Sequence, residues 1–167
     1  MINTDFSQYS YPVIYRATIS KDKQYRYTLS RIWDQDKEMI LFIGLNPSTA
    51  DAKENDPTIR RLIGYATRWG YGGMHVCNLF AYRTPHPKEL FKVANPIGPR
   101  NDVYIKKLNK LSTTTVLVYG NDGKRLNRHE EILKIIDKPY CIQKSKTGMP
   151  MHPLYLKYTD KPIVYSE

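Results

Sequence analysis

Met39-Ile40-Leu41-Phe42-Ile43-Gly44-Leu45-Asn46-Pro47-Ser48 decides how this chain is read. Its unbroken apolar start, Met39 to Ile43, has the pattern of a strand buried on both faces, as in a mostly parallel sheet covered by helices. The run stops at Gly44, which lets another group approach the backbone closely, and Pro47 fixes the following turn while holding Asn46 extended. A carboxamide is thereby presented stiffly at a strand end. Such an amide can orient a water by accepting one of its hydrogens, or it can bond to the edge of a base. Asn46 or Ser48 can equally satisfy local backbone groups in an Asx-type turn.

Downstream, Asp56-Pro57 sets a capping carboxylate before a proline at the first helical position, and the spacing of Ile59, Leu62, Ile63 and Ala66 predicts a helix from about Pro57 to Trp69. Gly70-Tyr71-Gly72-Gly73 ends it, and Met74 to Phe80 reads as a second buried strand. Asn95-Pro96-Ile97-Gly98-Pro99 is a structured loop before a helix from Arg100 to Leu111, whose apolar positions include Val103, Ile105 and Leu108. Thr114 to Tyr119 is a third strand, Arg128 to Ile136 a helix, Tyr140-Cys141-Ile142 a short fourth strand, and Leu154-Tyr155-Leu156 opens the tail. Upstream, Val13 to Ile19 and Tyr25 to Leu29 alternate about a turn at Lys21-Asp22-Lys23, as in a β-hairpin. The order predicts an α/β fold: a three-layer α/β/α sandwich with a mostly parallel central sheet of about four strands, plus the N-terminal hairpin. One domain is expected, with residues 1–36 as a hairpin extension and 37–158 as the α/β core. Ligands of such sheets bind beyond the carboxyl ends of the strands, which singles out Asn46, Asn78, Asn121 with Asp122, and His152.

A chain of 167 residues with 41% hydrophobic content supports one core. Its net charge of +10 attracts polyanions, and 14 tyrosines offer faces on which bases can stack. Nucleic acid is the expected partner. No segment has the length of a membrane span and the N-terminus has no signal-like region, so a cytoplasmic protein is expected. Cys77 and Cys141 are not spaced as a redox or zinc pair, and the histidines at 75, 86, 129 and 152 show no ligand spacing, so neither metal nor cofactor is expected. The glycines at 70, 72 and 73 end a helix, the wrong polarity for a phosphate loop.

Gly44-Leu45-Asn46-Pro47 resembles the first motif of the uracil-DNA glycosylase superfamily, especially its mismatch-specific and thymine-DNA branch. Val76-Cys77-Asn78-Leu79-Phe80 is similar to that superfamily's second motif strand, and Met151-His152-Pro153-Leu154 to its late His-Pro motif. The resemblance implies a flipped nucleotide, a water positioned by Asn46, a hydrogen bond from His152 to the base O2, and reading of the base edge by Asn78. Gly44, Leu45, Pro47, Ser48 and Phe80 would complete the base pocket. Ser48 departs from the glycine of the mismatch-specific branch and from the bulky tyrosine of the classical uracil enzymes, so a 5-substituted base fits. Leu154-Tyr155 replaces the usual Ser-Pro, which removes a phosphate contact and offers Leu154 as a wedge into the base stack.

A longer string, from Leu45 through Pro47-Ser48-Thr49-Ala50-Asp51-Ala52 to Asp56-Pro57-Thr58-Ile59-Arg60-Arg61, resembles a domain family of unknown function found in bacteria and mobile elements. So do Arg68 to Gly73, Asn95 to Asp102, and His152-Pro153-Leu154-Tyr155.

Asp51 and Asp56 are alternatives for activating water, since a carboxylate accepts a proton and an amide does not. Asp56 also reads as a helix cap, which leaves Asp51 as the catalytic candidate. Arg60 and Arg61, in the first turns of a helix where cations are disfavoured, together with Arg83, Lys144 and Lys146, are candidate DNA-phosphate contacts. The expected activity is hydrolysis of the N-glycosidic bond of uracil or another modified pyrimidine in single- or double-stranded DNA, by a monomer. A catalytically silent nucleic-acid- or protein-binding member of the fold is the alternative, and a nucleoside- or nucleotide-acting hydrolase or transferase a further one.

Overall fold

The computed structural model describes residues 13–166. Seven strands form one sheet: β1 (Ile14–Ile19), β2 (Arg26–Ile32), β3 (Met39–Gly44), β4 (Gly73–Asn78), β5 (Thr114–Leu117), β6 (Pro139–Cys141) and β7 (Ile163–Val164). Their order is β1-β2-β4-β3-β5-β6-β7. β3 lies parallel to both β4 and β5, and β5 parallel to β6. β1 with β2, β2 with β4, and β6 with β7 are antiparallel. The sheet is therefore mixed and wider than the anticipated four strands.

The N-terminal hairpin is not an extension of that sheet but part of it. β2 pairs with β4 through Leu29 opposite Val76, and burying Leu29 and Trp33 in the core requires that docking. Residues 1–12 of the expected extension lie outside the described residues.

Helices cover both faces. α1 (Pro57–Arg68) buries Ile59, Leu62 and Ile63 against Ile40, Phe42, Met74, Val76 and Val116. On the other face, Ile105 and Leu108 of α2 (Asn101–Leu111) and Ile132 of α3 (Arg128–Ile135) meet Leu41, Ile43, Cys77 and Leu117. Successive residues of β3 thus feed opposite cores, which is why its apolar run is unbroken. Val103, expected on the apolar side of α2, is 59% exposed.

α1 starts where Asp56 accepts from the Ile59 amide at 2.8 Å and ends before Gly70, whose φ of +84° is the left-handed stop. Three short 3₁₀ turns, Pro87–Lys92, Asn121–Asn127 and Pro153–Tyr155, add to the predicted elements.

β2 carries an irregularity that matters for the site. Thr18 pairs with Thr28 but Ile19 with Arg26, so Tyr27 is an extra residue without a partner on β1. Such a bulge breaks the alternation of faces. Leu29 belongs to the core beneath α1, Tyr27 stacks on Tyr104 of α2 at 5.1 Å on the opposite face, and Arg26 is turned back toward α1.

Candidate active site

Beyond the carboxyl ends of β3 and β4 lies a cavity of about 360 Å³, bounded on one side by the start of α1 and on another by the segment at His152. Asn46, Asn78 and His152, taken from three separate stretches of sequence, all line it.

Asn46 is held by its amide nitrogen, which donates to the carbonyls of Pro47 at 3.0 Å and Thr84 at 2.8 Å. Two carbonyl acceptors fix which end of the carboxamide is nitrogen. Its Oδ1 accepts from no protein donor among the described residues, leaving a rigidly oriented acceptor in the cavity wall. Asn46 is thus both turn element and candidate water-orienting group, because its two ends do different jobs.

Asn78 is 4% exposed, and its Nδ2 is buried with no partner. It is supported from behind: Asn101 Nδ2 donates to the carbonyls of Asn78 and Leu79, and Arg128 Nε to that of Leu79. Arg128 is itself clamped by Asp102 and Glu131, each at 2.7 Å. Asn101 directly, and Asp102 through Arg128, thereby brace the end of β4. Gly44, opposite Asn78 across the parallel ladder, leaves room for that amide; a Cβ there would stand 2.7 Å from Asn78 Oδ1.

His152 Nδ1 accepts a long bond, 3.4 Å, from the Leu154 amide. That contact favours the tautomer with hydrogen on Nε2, leaving Nε2–H as a donor. Burial pushes the imidazole below its ordinary value of 6.5, partly opposed by Asp56, so the ring is neutral at neutral pH. α1 places this segment. Arg61 donates to the carbonyls of Pro153 and Leu156 and lies 3.7 Å from the centre of the Tyr158 ring, Tyr65 Oη donates to Lys157, and Trp69 Nε1 to Thr159.

Of the other expected residues, Gly44, Leu45, Ser48 and Leu154 line the cavity. Leu154 is 42% exposed and Tyr155 beside it 82%, so an aliphatic and an aromatic group stand together at the mouth. Pro47 acts through its carbonyl rather than as lining. Phe80 is buried in the core edge-on to Phe91 and does not reach the cavity.

Asp56 caps α1 as expected and also reaches the cavity, whereas Asp51 does not. Asp51 is spent in a turn, accepting from the amides of Lys53 at 2.7 Å and Glu54 at 3.0 Å, and those bonds hold its carboxyl below the usual 3.8. Asp56 Oδ1 is the capping atom, and its second oxygen has no protein partner among the described residues.

The expected phosphate contacts disperse. Arg61 is committed to the 153–158 segment, Arg60 donates to the Asn55 carbonyl while remaining exposed, and Arg83 donates to the Lys23 carbonyl. Lys144 bonds the Ser166 carbonyl, and with Lys146 it lines a separate depression. Asn121 belongs there too, accepting from Ser145 and Thr147.

Arg26 was not anticipated. It lines the cavity while only 2% exposed, donates from Nη1 to the Ala50 carbonyl at 2.7 Å, and keeps a buried Nε without a partner. In the sequence Tyr25-Arg26-Tyr27 it reads as the solvent face of a hairpin, and only the bulge turns it inward. Thr58, Thr84 and Pro85 complete the rim.

Among the described residues no cluster of His, Cys, Asp and Glu is placed to hold a metal, and no helix is long and apolar enough to cross a membrane. Cys77 and Cys141 are free and buried, and burial pushes the Cys77 thiol up to about 12.

The family described as "Protein of unknown function (DUF1643)" matches residues 26–154. No curated protein and no solved structure matches the chain.

Proposed function

The chain belongs to this family of unknown function, and on that premise we propose that it is a glycosylase of the uracil-DNA glycosylase superfamily type, hydrolysing the N-glycosidic bond of uracil or another modified pyrimidine in DNA. One observation carries the reading: a neutral imidazole donor, an orphaned buried amide and an anchored amide with a free oxygen meet on one cavity beyond the strand ends. Asn46 Oδ1 accepts a hydrogen from the water and aims its lone pair at the anomeric carbon of a flipped nucleotide. As the carbon–nitrogen bond breaks, electrons flow onto the base, and His152 Nε2–H donates to its O2. Preplaced donors of this kind stabilise charge that appears only in the transition state. The proton lost by the attacking water passes to the free oxygen of Asp56 or to solvent, leaving an abasic sugar and the free base. Asn78 supplies the amide that reads the base edge, and the net charge of +10 draws in the DNA backbone. Leu154 and Tyr155, exposed at the mouth, fill the gap left by the flipped nucleotide.

The test is incubation with labelled single- and double-stranded DNA containing uracil or 5-substituted pyrimidines, followed by alkali to cut abasic sites. Excision is expected, reduced by at least about 100-fold in Asn46→Ala and in His152→Ala. Excision that survives both substitutions would overturn the roles. Salt-sensitive DNA binding without excision would favour a silent nucleic-acid-binding member of the fold. A second reading, a hydrolase or transferase of free nucleosides or nucleotides, draws support from buried Arg26 in the same cavity.

A further inference from the structure

Arg26 has a geometry that base recognition by Asn46, Asn78 and His152 leaves unused. A guanidinium offers five N–H groups in a planar fork, and the pair on Nε and Nη2 matches two oxygens of one oxyanion. Nη1 is occupied by the Ala50 carbonyl. Nε is buried and unpartnered, and Nη2 donates to nothing among the described residues. The side of the fork that binds carboxylates and phosphates in two-point fashion is therefore vacant on a side chain 2% exposed, in the wall of the cavity. An unpaired buried cation is costly, and a single carbonyl acceptor does not compensate this one fully. Asp56 lines the same cavity, yet no ion pair joins it to Arg26 among the described residues. Burial, together with neighbouring Arg83 and Arg31, brings Arg26 down to about 10 against the opposing effect of Asp56, so it stays charged at neutral pH. Asn78 Nδ2, also buried and unpartnered, adds another donor to the same wall.

We propose that Arg26 is a specificity-determining residue that binds an oxyanion of the ligand, a carboxylate or a phosphate, through Nε and Nη2. The inference rests on reading this cavity as the substrate site and is independent of which bond is broken there. It makes the preferred ligand a base or nucleotide bearing a negative charge at the end that meets β2. The bulge at Tyr27 is the device that delivers the fork, since an unbroken alternation would turn Arg26 to the other face of the sheet.

Two matched pairs of probes test it by calorimetry on the whole chain: 5-carboxyuracil against uracil, and uridine 5′-monophosphate against uridine. At least one anionic member is expected to bind about tenfold or more tightly than its neutral partner, and the pair that shows this identifies carboxylate or phosphate as the source. Arg26→Lys keeps the charge but loses the fork, and is expected to abolish the difference in affinity between the anionic and neutral members of the pair. As a readout that does not depend on the variant's folding, the Arg26 Nε–H resonance in the ¹⁵N spectrum of the unaltered protein is followed as well. It is expected to shift on adding the anionic probe and to stay in place with the neutral one. Equal affinities within both pairs, no binding of any probe at millimolar concentration, or an unmoved Nε–H signal would each overturn the proposal. Discrimination between probes without DNA excision leaves this inference standing and sinks the glycosylase reading; excision without discrimination does the reverse.

Discussion

Gly44 and Asn78 face each other across β3 and β4, and the site depends on the smallness of one and the burial of the other. Gly44→Ala would press a methyl group against Asn78 Oδ1 at 2.7 Å, and the amide must then leave its place. The expected outcome is a folded protein, destabilised by about 1–3 kcal/mol in urea titration, that loses the base discrimination which the proposed function assigns to Asn78. His152 and His75 give a second expectation. Burial lowers both below the ordinary 6.5, with Arg16 adding to the effect at His75 and Asp56 opposing it at His152. A group whose folded-state proton affinity is depressed in this way leaves the unfolded chain holding more protons just below pH 6.5, so stability is full above that value and falls on acidification. The carboxylates Asp22 and Asp51, held below their usual 3.8, lose their contributions only at lower pH. Urea midpoints should therefore drop between about pH 7 and about pH 5, and the drop should shrink in a His75→Gln, His152→Gln double variant. At this scale the placement of Asn46 and Asn78 is legible, because polar residues that follow apolar strands have few structural reasons to be there, whereas His152 heads a 3₁₀ turn rather than ending a strand. Arg26 and the presence of Asp56 in the cavity are not, because the first depends on a bulge in β2 and the second on how the start of α1 docks over the strand ends.

Among the elements, α1 links fold to site. Its Asp56 cap stands in the cavity, and Arg61 and Tyr65, together with Trp69 at its C-cap, fasten the chain from Pro153 to Thr159, which carries His152 at its head. Arg61→Ala removes bonds from a cation to two carbonyls and the face-on contact with Tyr158. A loss of about 1.5–3 kcal/mol is expected, together with faster proteolysis near Pro153 and weakened excision from a displaced His152. A DNA-contact role would instead leave stability unchanged and reduce only DNA affinity. β3, β4, β5 and the three α-helices are close to where apolar periodicity places them, because long segments bury continuous faces. β7 and the 3₁₀ turns carry no such period: β7 has only Ile163 and Val164, both exposed, and exists because β6 offers it an edge.

For the molecule as a whole, if DNA is the substrate as proposed, a charge of +10 predicts that binding weakens by at least about tenfold between low and physiological salt, because the entropy gained by releasing counterions from phosphates falls as salt rises. Binding measured by fluorescence anisotropy across a salt series checks this, and a flat response would remove the backbone from the recognition. Hydrophobic periodicity and turn chemistry are local, so the alternation of strands and helices, the two-sided burial of β3, and Asn46 and Asn78 at the ends of β3 and β4 can be read along the chain. Long-range packing instead sets the hairpin beside β4, makes Arg61 of α1 the holder of the His152 segment, and through a bulge turns Arg26 into the cavity. Those outcomes follow from pairings between residues far apart in the chain, and a single inserted residue in a ladder reverses which face a side chain meets.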